Sequence, residues 1–275
     1  MTENVLLVGG TGNLGSSLIQ HYVNNQNKDV KLLLADKNFS KAKELADQTN
    51  NSCGYKLVHP YKVDIMNPGS IEGLARNINT DHGSLTHLTN IVGGIVPKEI
   101  NPEKRHYWFE ENQPSDEVIN NCLQYNLAGS IRLIRDFLPI LKQDPNSDKS
   151  ITLISSINAI QNWAGPTYSA AKAGLTGLVN SSVSPLGKEG IRINSILFGT
   201  IVSPRTYEQH KGVDIMEKFT ALKRFPTFEE ASKEIYLLMH DRSSVTGTNM
   251  VVDCGESKIT IFSQTETGAV SPKDW

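Results

Sequence analysis

Seven short apolar runs recur along the chain: NVLLVG (4–9), VKLLLAD (30–36), KLVHPYKVD (56–64), LTHLTNIVG (85–93), SITLISS (150–156), IRINSILFG (191–199) and NMVVD (249–253). Most are continuous rather than alternating, the pattern of strands covered on both faces in a parallel sheet. Helical patterns fill the gaps, near 13–26, 40–49, 68–78, 115–142, 167–188 and 227–240. Strand and helix alternating from end to end predict an α/β fold: a doubly wound parallel sheet of about seven strands with helices on both faces. One domain is expected over 1–255, with irregular segments near 97–115 and 200–226 and a polar tail over 256–275.

Composition narrows the picture by exclusion. The 275 residues carry 27 basic and 29 acidic side chains, a net charge of −2. No basic excess asks for nucleic acid, and no run approaches the length of a membrane span. The opening MTENVLLVGG enters a strand without the basic and apolar regions of an export signal, so a cytoplasmic protein is expected. Cys53, Cys122 and Cys254 are scattered and odd in number, which fits reduced thiols better than a disulfide frame. The seven histidines show no local metal-ligand spacing, and no metal is expected.

The first candidate site lies between the first strand and the first helix. In VGGTGNLG (8–15), Gly9, Gly12 and Gly15 fall three apart. Such glycines permit a tight turn and close approach of backbone to phosphate, while the helix N-terminus supplies unpaired N–H groups. Asp36 ends the second strand, 21 residues after Gly15, where a carboxylate accepts the ribose hydroxyls of NAD and repels the 2′-phosphate of NADP. The adjoining Lys37 softens that preference. The turn and its acid predict a Rossmann-type site that takes NAD, with NADP the weaker choice.

A second motif is ambiguous on its own. GPTYSAAKAG (165–174) places Tyr168 and Lys172 on one helix face, one turn apart, but Tyr207 and Lys211 share the same spacing. Order along the chain separates them. YKVDIMN, LTNIVGG, YNLAGSIRLIRDFLPIL, ITLISSINA, TYSAAKAG, IRINSILFGTIVSP and the stretch RFPTFEEASKEIYLLMHDRSSVTGTNMVVDCG follow one another in the order of the short-chain dehydrogenase/reductase family. The chain resembles that family over about residues 4–255. Tyr168, which follows the serine strand, then matches the catalytic tyrosine. Tyr207 falls in the stretch that the family uses as a lid, and its pairing with Lys211 reads as coincidence.

The resemblance implies a catalytic set of Ser156, Tyr168, Lys172 and Asn126. Tyr168 would exchange a proton with the carbonyl oxygen, and Lys172 would favour its phenolate and hold the nicotinamide ribose. The serine would polarise the carbonyl, and Asn126 would anchor a water leading to solvent. Counting back from Tyr168 selects Ser155, whereas counting along the strand selects Ser156. The strand register is preferred, because loop length varies more easily. The implied cofactor contacts are Gly9, Thr11, Gly12, Asn13, Leu14, Gly15, Asp36, Asp64, Ile65, Asn90, Gly93, Tyr168, Lys172, Gly199, Ile201 and Ser203. Departures at Asn13, Ile91, Phe198 and Cys254 spare the catalytic set but weaken any analogy of substrate.

The expected activity is therefore NAD(P)(H)-dependent interconversion of a carbonyl and a secondary alcohol. Reduction of a 3-oxoacyl thioester is one alternative, and a dinucleotide-binding sensor or scaffold without turnover is another. A homotetramer or homodimer is expected through the helices at 115–142 and 167–188, which carry apolar or small residues on more than one face. Segment 97–115 borders the expected substrate mouth and is read either as a cap or as a solvated loop.

Overall fold

In a computed structural model, the structure describes residues 2–26, 28–94, 114–146, 148–161, 165–201, 203, 220–241 and 243–259. Seven strands form one sheet: β1 (Glu3–Val8), β2 (Val30–Asp36), β3 (Val58–Lys62), β4 (His87–Asn90), β5 (Lys149–Ser156), β6 (Ile191–Phe198) and β7 (Asn249–Val252). Their order is β3-β2-β1-β4-β5-β6-β7, every pair parallel. The order turns back between β1 and β4, and in such sheets a ligand crevice opens at that switch, beyond the strands' C-terminal ends. Pro60 lacks an N–H but sits in β3, at the sheet's edge, where one missing donor is tolerated.

The helices are α1 (Asn13–Asn24), α2 (Phe39–Cys53), α3 (Pro68–His82), α4 (Asp116–Leu123), α5 (Gly129–Gln143), α6 (Pro166–Gly187) and α7 (Phe228–Tyr236). They cover both sheet faces, as the burial pattern requires. Leu6, Val8, Leu88 and Ile151 pack with Ile71 and Leu74 of α3, Phe137 of α5, and Leu175 and Val179 of α6. Val5, Leu7, Ile154 and Ile196 pack on the other side with Leu18 and Tyr22 of α1, Ala42 and Ala46 of α2, and Ile235 of α7. Local signals start several helices. Asn38 accepts from Lys41 N at 3.1 Å, Asn67 caps α3 with Pro68 behind it, and Thr227 and Glu230 form a reciprocal capping box on α7.

Two helices depart from the sequence expectation in the same way. The stretch 115–142 is not one regular helix, because a π-helical turn (Gln124–Ala128) separates α4 from α5. α7 stops at Tyr236 and continues as a second π turn (Leu237–Asp241). Such turns insert one residue into the helical ladder and re-aim the side chains they carry. Periodicity cannot show them, since the apolar pattern resumes beyond. At the end of β7, Cys254 adopts φ 52°, a left-handed conformation that suits the glycine found there in the resembled family. Glu256–Lys258 then form a short 3-10 turn. The tail from 260, nearly all of segment 97–115, and most of 200–226 lie outside the described residues.

Candidate active site

A cleft of about 660 Å³ opens at the switch between β1 and β4. Its phosphate end is built from the glycine turn. Gly9 has φ 82°, and a Cβ there would fall 2.4 Å from Val92 Cγ2. A Cβ on Gly15 would fall 2.4 Å from the Gly10 backbone, so that glycine lets α1 start tight against the turn. A Cβ on Gly12, by contrast, would meet nothing within 4 Å. Gly12 also caps α1 without a side chain, so the helix N-terminus faces the cleft uncovered. This combination fits a pyrophosphate, which needs close backbone and free N–H donors.

Asp36 is held at the next position. Its Oδ2 accepts from Thr11 N at 3.2 Å and Thr11 Oγ1 at 2.8 Å, while Oδ1 accepts from Asn38 N at 3.0 Å. A carboxylate offers about four acceptor sites, so capacity remains for ligand hydroxyls. Lys37 turns instead to Asp64, 2.9 Å away. That ammonium favours ionised Asp64 and, with the Met66 N–H, holds its pKa below the usual range although burial opposes this.

The opposite end carries the candidate chemistry. Tyr168 and Lys172 both wall the cleft, with Lys172 Nζ 5.7 Å from the centre of the tyrosine ring. Lys172 is only 2% exposed and donates to Ile154 O at 2.9 Å. Burial pushes its pKa down to about 8, with the Cys122 thiol acting weakly in the other direction. Gly93 makes room for it, since a Cβ there would lie 2.6 Å from Lys172 Nζ and 3.2 Å from Asn126 Oδ1. Asn126 projects from the first π turn. Its Oδ1 accepts from Gly94 N at 2.9 Å, and its Nδ2 donates to Gly94 O and Cys122 O, both at 3.1 Å. It therefore ties the π turn to the loop after β4.

The two serines differ in what they do with their protons. Ser155 lines the cleft but donates to Lys172 O at 3.1 Å. Ser156, at the end of β5, accepts from Asn158 N at 3.2 Å and Asn158 Nδ2 at 3.0 Å. Among the described residues no acceptor takes the Ser156 proton, but Ser155, not Ser156, is the serine that lines the cleft.

The cleft brings together most of the sequence-derived cofactor set, including Gly9, Gly12, Asn13, Leu14, Gly15, Asp36, Asp64, Ile65, Gly93, Ile201 and Ser203. Three of that set stand behind its wall. Thr11 orients Asp36. Asn90 donates to Ser130 Oγ and accepts from Val92 N, shaping the loop beneath. Gly199 lets the end of β6 pack on Glu256, whose Oε2 would lie 2.5 Å from a Cβ there. Tyr207 and Lys211 lie outside the described residues.

Sequence reasoning missed Tyr125, Phe228 and Glu256. Tyr125 and Phe228 line the cleft; nothing but adjacency to Asn126 and to the α7 cap marks them. Glu256 falls in the expected polar tail. It is buried, which raises its carboxyl pKa, and it accepts from Thr200 N at 2.7 Å and Thr200 Oγ1 at 3.0 Å, fixing the loop after β6.

The family described as Enoyl-(Acyl carrier protein) reductase matches residues 24–257. The chain is 27% identical over 237 residues to the short-chain dehydrogenase/reductase aba4 of Botryotinia fuckeliana, covering 83% of this chain and 87% of that one. The chain belongs to the short-chain dehydrogenase/reductase family. A 7alpha-hydroxysteroid dehydrogenase of Bacteroides fragilis is 26% identical over 258 residues, covering 91% of this chain and 93% of its own length. A solved short-chain dehydrogenase/reductase from Serratia marcescens, 18% identical, superposes with a TM-score of 0.77 over 93% of this chain and 98% of its own, a likeness of fold. Family membership makes the chain an oxidoreductase of the type that binds a nicotinamide dinucleotide. Among the described residues, no helix is long and apolar enough to cross a membrane.

Proposed function

We propose that this protein is an NAD(H)-dependent dehydrogenase or reductase that interconverts a ketone and a secondary alcohol. The observation that carries the proposal is that Tyr168 and Lys172 wall the same cleft as the glycine turn and Asp36. When bound, the nicotinamide would donate or accept the hydride. The chain's own groups manage the proton and the charge that hydride transfer creates on oxygen. Ser156, at the end of β5, would give a hydrogen bond to the carbonyl oxygen and polarise it, keeping its own proton. Tyr168 delivers the proton that the oxygen needs during reduction and takes it back during oxidation. Lys172, one turn along α6, favours the phenolate electrostatically and would hold the nicotinamide ribose when the cofactor is bound. Asn126 holds the Gly93–Gly94 backbone against Lys172 and so fixes where its ammonium stands.

Asp36 supports NAD over NADP. Its carboxylate lines the cleft beside the glycine turn, and the adjacent cation, Lys37, is compensated by Asp64. Calorimetry should find NAD(H) bound more tightly than NADP(H), and Asp36→Ala should narrow the gap by about tenfold or more, the scale of one lost charged hydrogen bond. Equal affinities in the wild type would refute the role given to Asp36.

A small-molecule carbonyl or alcohol remains the proposed substrate. The 3-oxoacyl thioester alternative rests on the general likeness of family members, and a carrier-linked substrate in the screen would expose it. Loss of turnover with retained dinucleotide binding would favour the sensor reading, which retention of Ser156, Tyr168, Lys172 and Asn126 argues against. We further propose assembly through α5 and α6. Ala170, Ala173 and Gly177 form an exposed small-residue face on α6, and Ile131 of α5 is 45% exposed. Light scattering at micromolar concentration should show a homotetramer or homodimer; a stable monomer would contradict it.

A further inference from the structure

A second cluster of chemistry-bearing side chains lies at the other end of the sheet, away from the cleft. Glu3 opens β1 and His87 opens β4, on adjacent strands. His240 reaches them from the second π turn. The first π turn delivers Asn126 to the candidate active site, and the second delivers His240 here. Arg192 holds this π turn in place, donating to Leu238 O at 2.7 Å and Met239 O at 2.8 Å while pairing with Asp148 at 2.6 Å.

Three ligand-type atoms converge. His240 Nδ1 is 3.2 Å from Glu3 Oε2, and His87 Nε2 is 3.9 Å from the same oxygen. All three lie within 4.8 Å of one another. Two ligands ~2.0–2.1 Å from a tetrahedral ion are ~3.4 Å apart, so the spacing needs only small adjustment. The outer nitrogen of each imidazole is already engaged. His87 Nδ1 lies 2.8 Å from Ser150 Oγ, and His240 Nε2 lies 2.6 Å from the Tyr22 hydroxyl. Histidine ligands of metals are oriented in this way by a partner on the far nitrogen.

His87 supplies the second, independent observation. It is 1% exposed, and its Nε2 faces the Glu3 carboxylate at 3.9 Å, beyond hydrogen-bonding distance. A buried nitrogen aimed at a carboxylate across such a gap leaves room for a cation between them. Glu3, one-third exposed, gives the ion a route from solvent. The Arg192 charge nearby is offset by Asp148.

We propose that Glu3, His87 and His240 bind one divalent transition-metal ion, with zinc the best match to two imidazoles and a carboxylate. Magnesium and calcium prefer all-oxygen shells and fit poorly. Water would complete the coordination from the Glu3 side. The site ties the start of β1 and β4 to the π turn that follows α7, at the other end of the sheet from the dinucleotide cleft. No local motif could reveal it, because positions 3, 87 and 240 meet only in the fold.

The test uses the full-length protein stripped with a chelator. Zinc chloride is titrated by calorimetry, and cobalt is substituted to read its visible absorption. The expected result is one zinc per chain, an upward shift of the thermal midpoint, and the intense bands of four-coordinate cobalt. Glu3→Gln, at a partly exposed position that should keep the fold, and His240→Ala should each weaken zinc binding at least about tenfold. His82→Ala, which removes one ring of the separate His59–His82 pair, should leave it unchanged. The proposal is overturned if the wild type binds no stoichiometric zinc, if binding survives both Glu3→Gln and His240→Ala, or if His82→Ala abolishes it. The cluster would then be a polar chain from Tyr22 through His240 to the Glu3 carboxylate 3.2 Å away, without a metal.

Discussion

Tyr168→Phe should lower turnover by about 10²-fold or more while leaving the fold and NAD binding nearly unchanged. Only a hydroxyl is removed, and the ring still fills its place in the cleft wall, where Tyr168 is 8% exposed. Steady-state rates and NAD titrations on the same preparation separate chemistry from binding. The serines give a matched control. Ser156→Ala removes the hydroxyl whose proton has no acceptor among the described residues, so it should cost far more turnover than Ser155→Ala, which loses a bond to a helix carbonyl. Near wild-type rates for Tyr168→Phe would remove the proposed proton donor. A larger loss in Ser155→Ala would move the carbonyl contact back by one residue.

Lys172→Met should abolish measurable turnover, weaken NAD binding and yet stabilise the folded chain at neutral pH. Burial holds the Lys172 pKa at about 8, against an ordinary 10.5. Between those values the unfolded chain binds more protons at this residue than the folded one. This residue's contribution to wild-type stability therefore rises as pH climbs from about 8 to 10.5, and its charge is a cost below that window. Methionine fills the space without the charge. The advantage of Lys172→Met over wild type should be largest at pH 7 and shrink by ~3 kcal/mol by pH 10.5, because each tenfold change in the protonation equilibrium is worth about 1.4 kcal/mol. Denaturant unfolding of both proteins across that range measures the difference. A constant difference would show that Lys172 is not desolvated as the structure has it.

Much of this architecture is legible in the residues because burial on both faces leaves continuous apolar strands. All seven strands lie within two residues of their expected starts. β4 ends early, at Asn90, and 91–93 line the cleft, with Ile91 N still donating to Val8 O at 2.9 Å. The glycine turn and Asp36 could be found because their contacts are local in sequence. The π turns could not, since each is a one-residue slip inside an otherwise periodic helix. Glu256 was hidden for a different reason: its partner Thr200 is distant in sequence, and a polar segment after the last strand reads as tail. The choice between Ser155 and Ser156 turns on hydrogen-bond directions, which spacing does not carry.

The central claim is that the cleft transfers hydride between a nicotinamide and a carbonyl carbon. The most direct measurement is a screen of ketones, aldehydes, acyl thioesters and secondary alcohols with all four nicotinamide cofactors, followed by nicotinamide absorbance. The account predicts turnover of at least one small carbonyl or alcohol, faster with NAD(H) than NADP(H), and lost in Tyr168→Phe. Tight NAD binding with no turnover of any class, or turnover that Tyr168→Phe leaves intact, would contradict it.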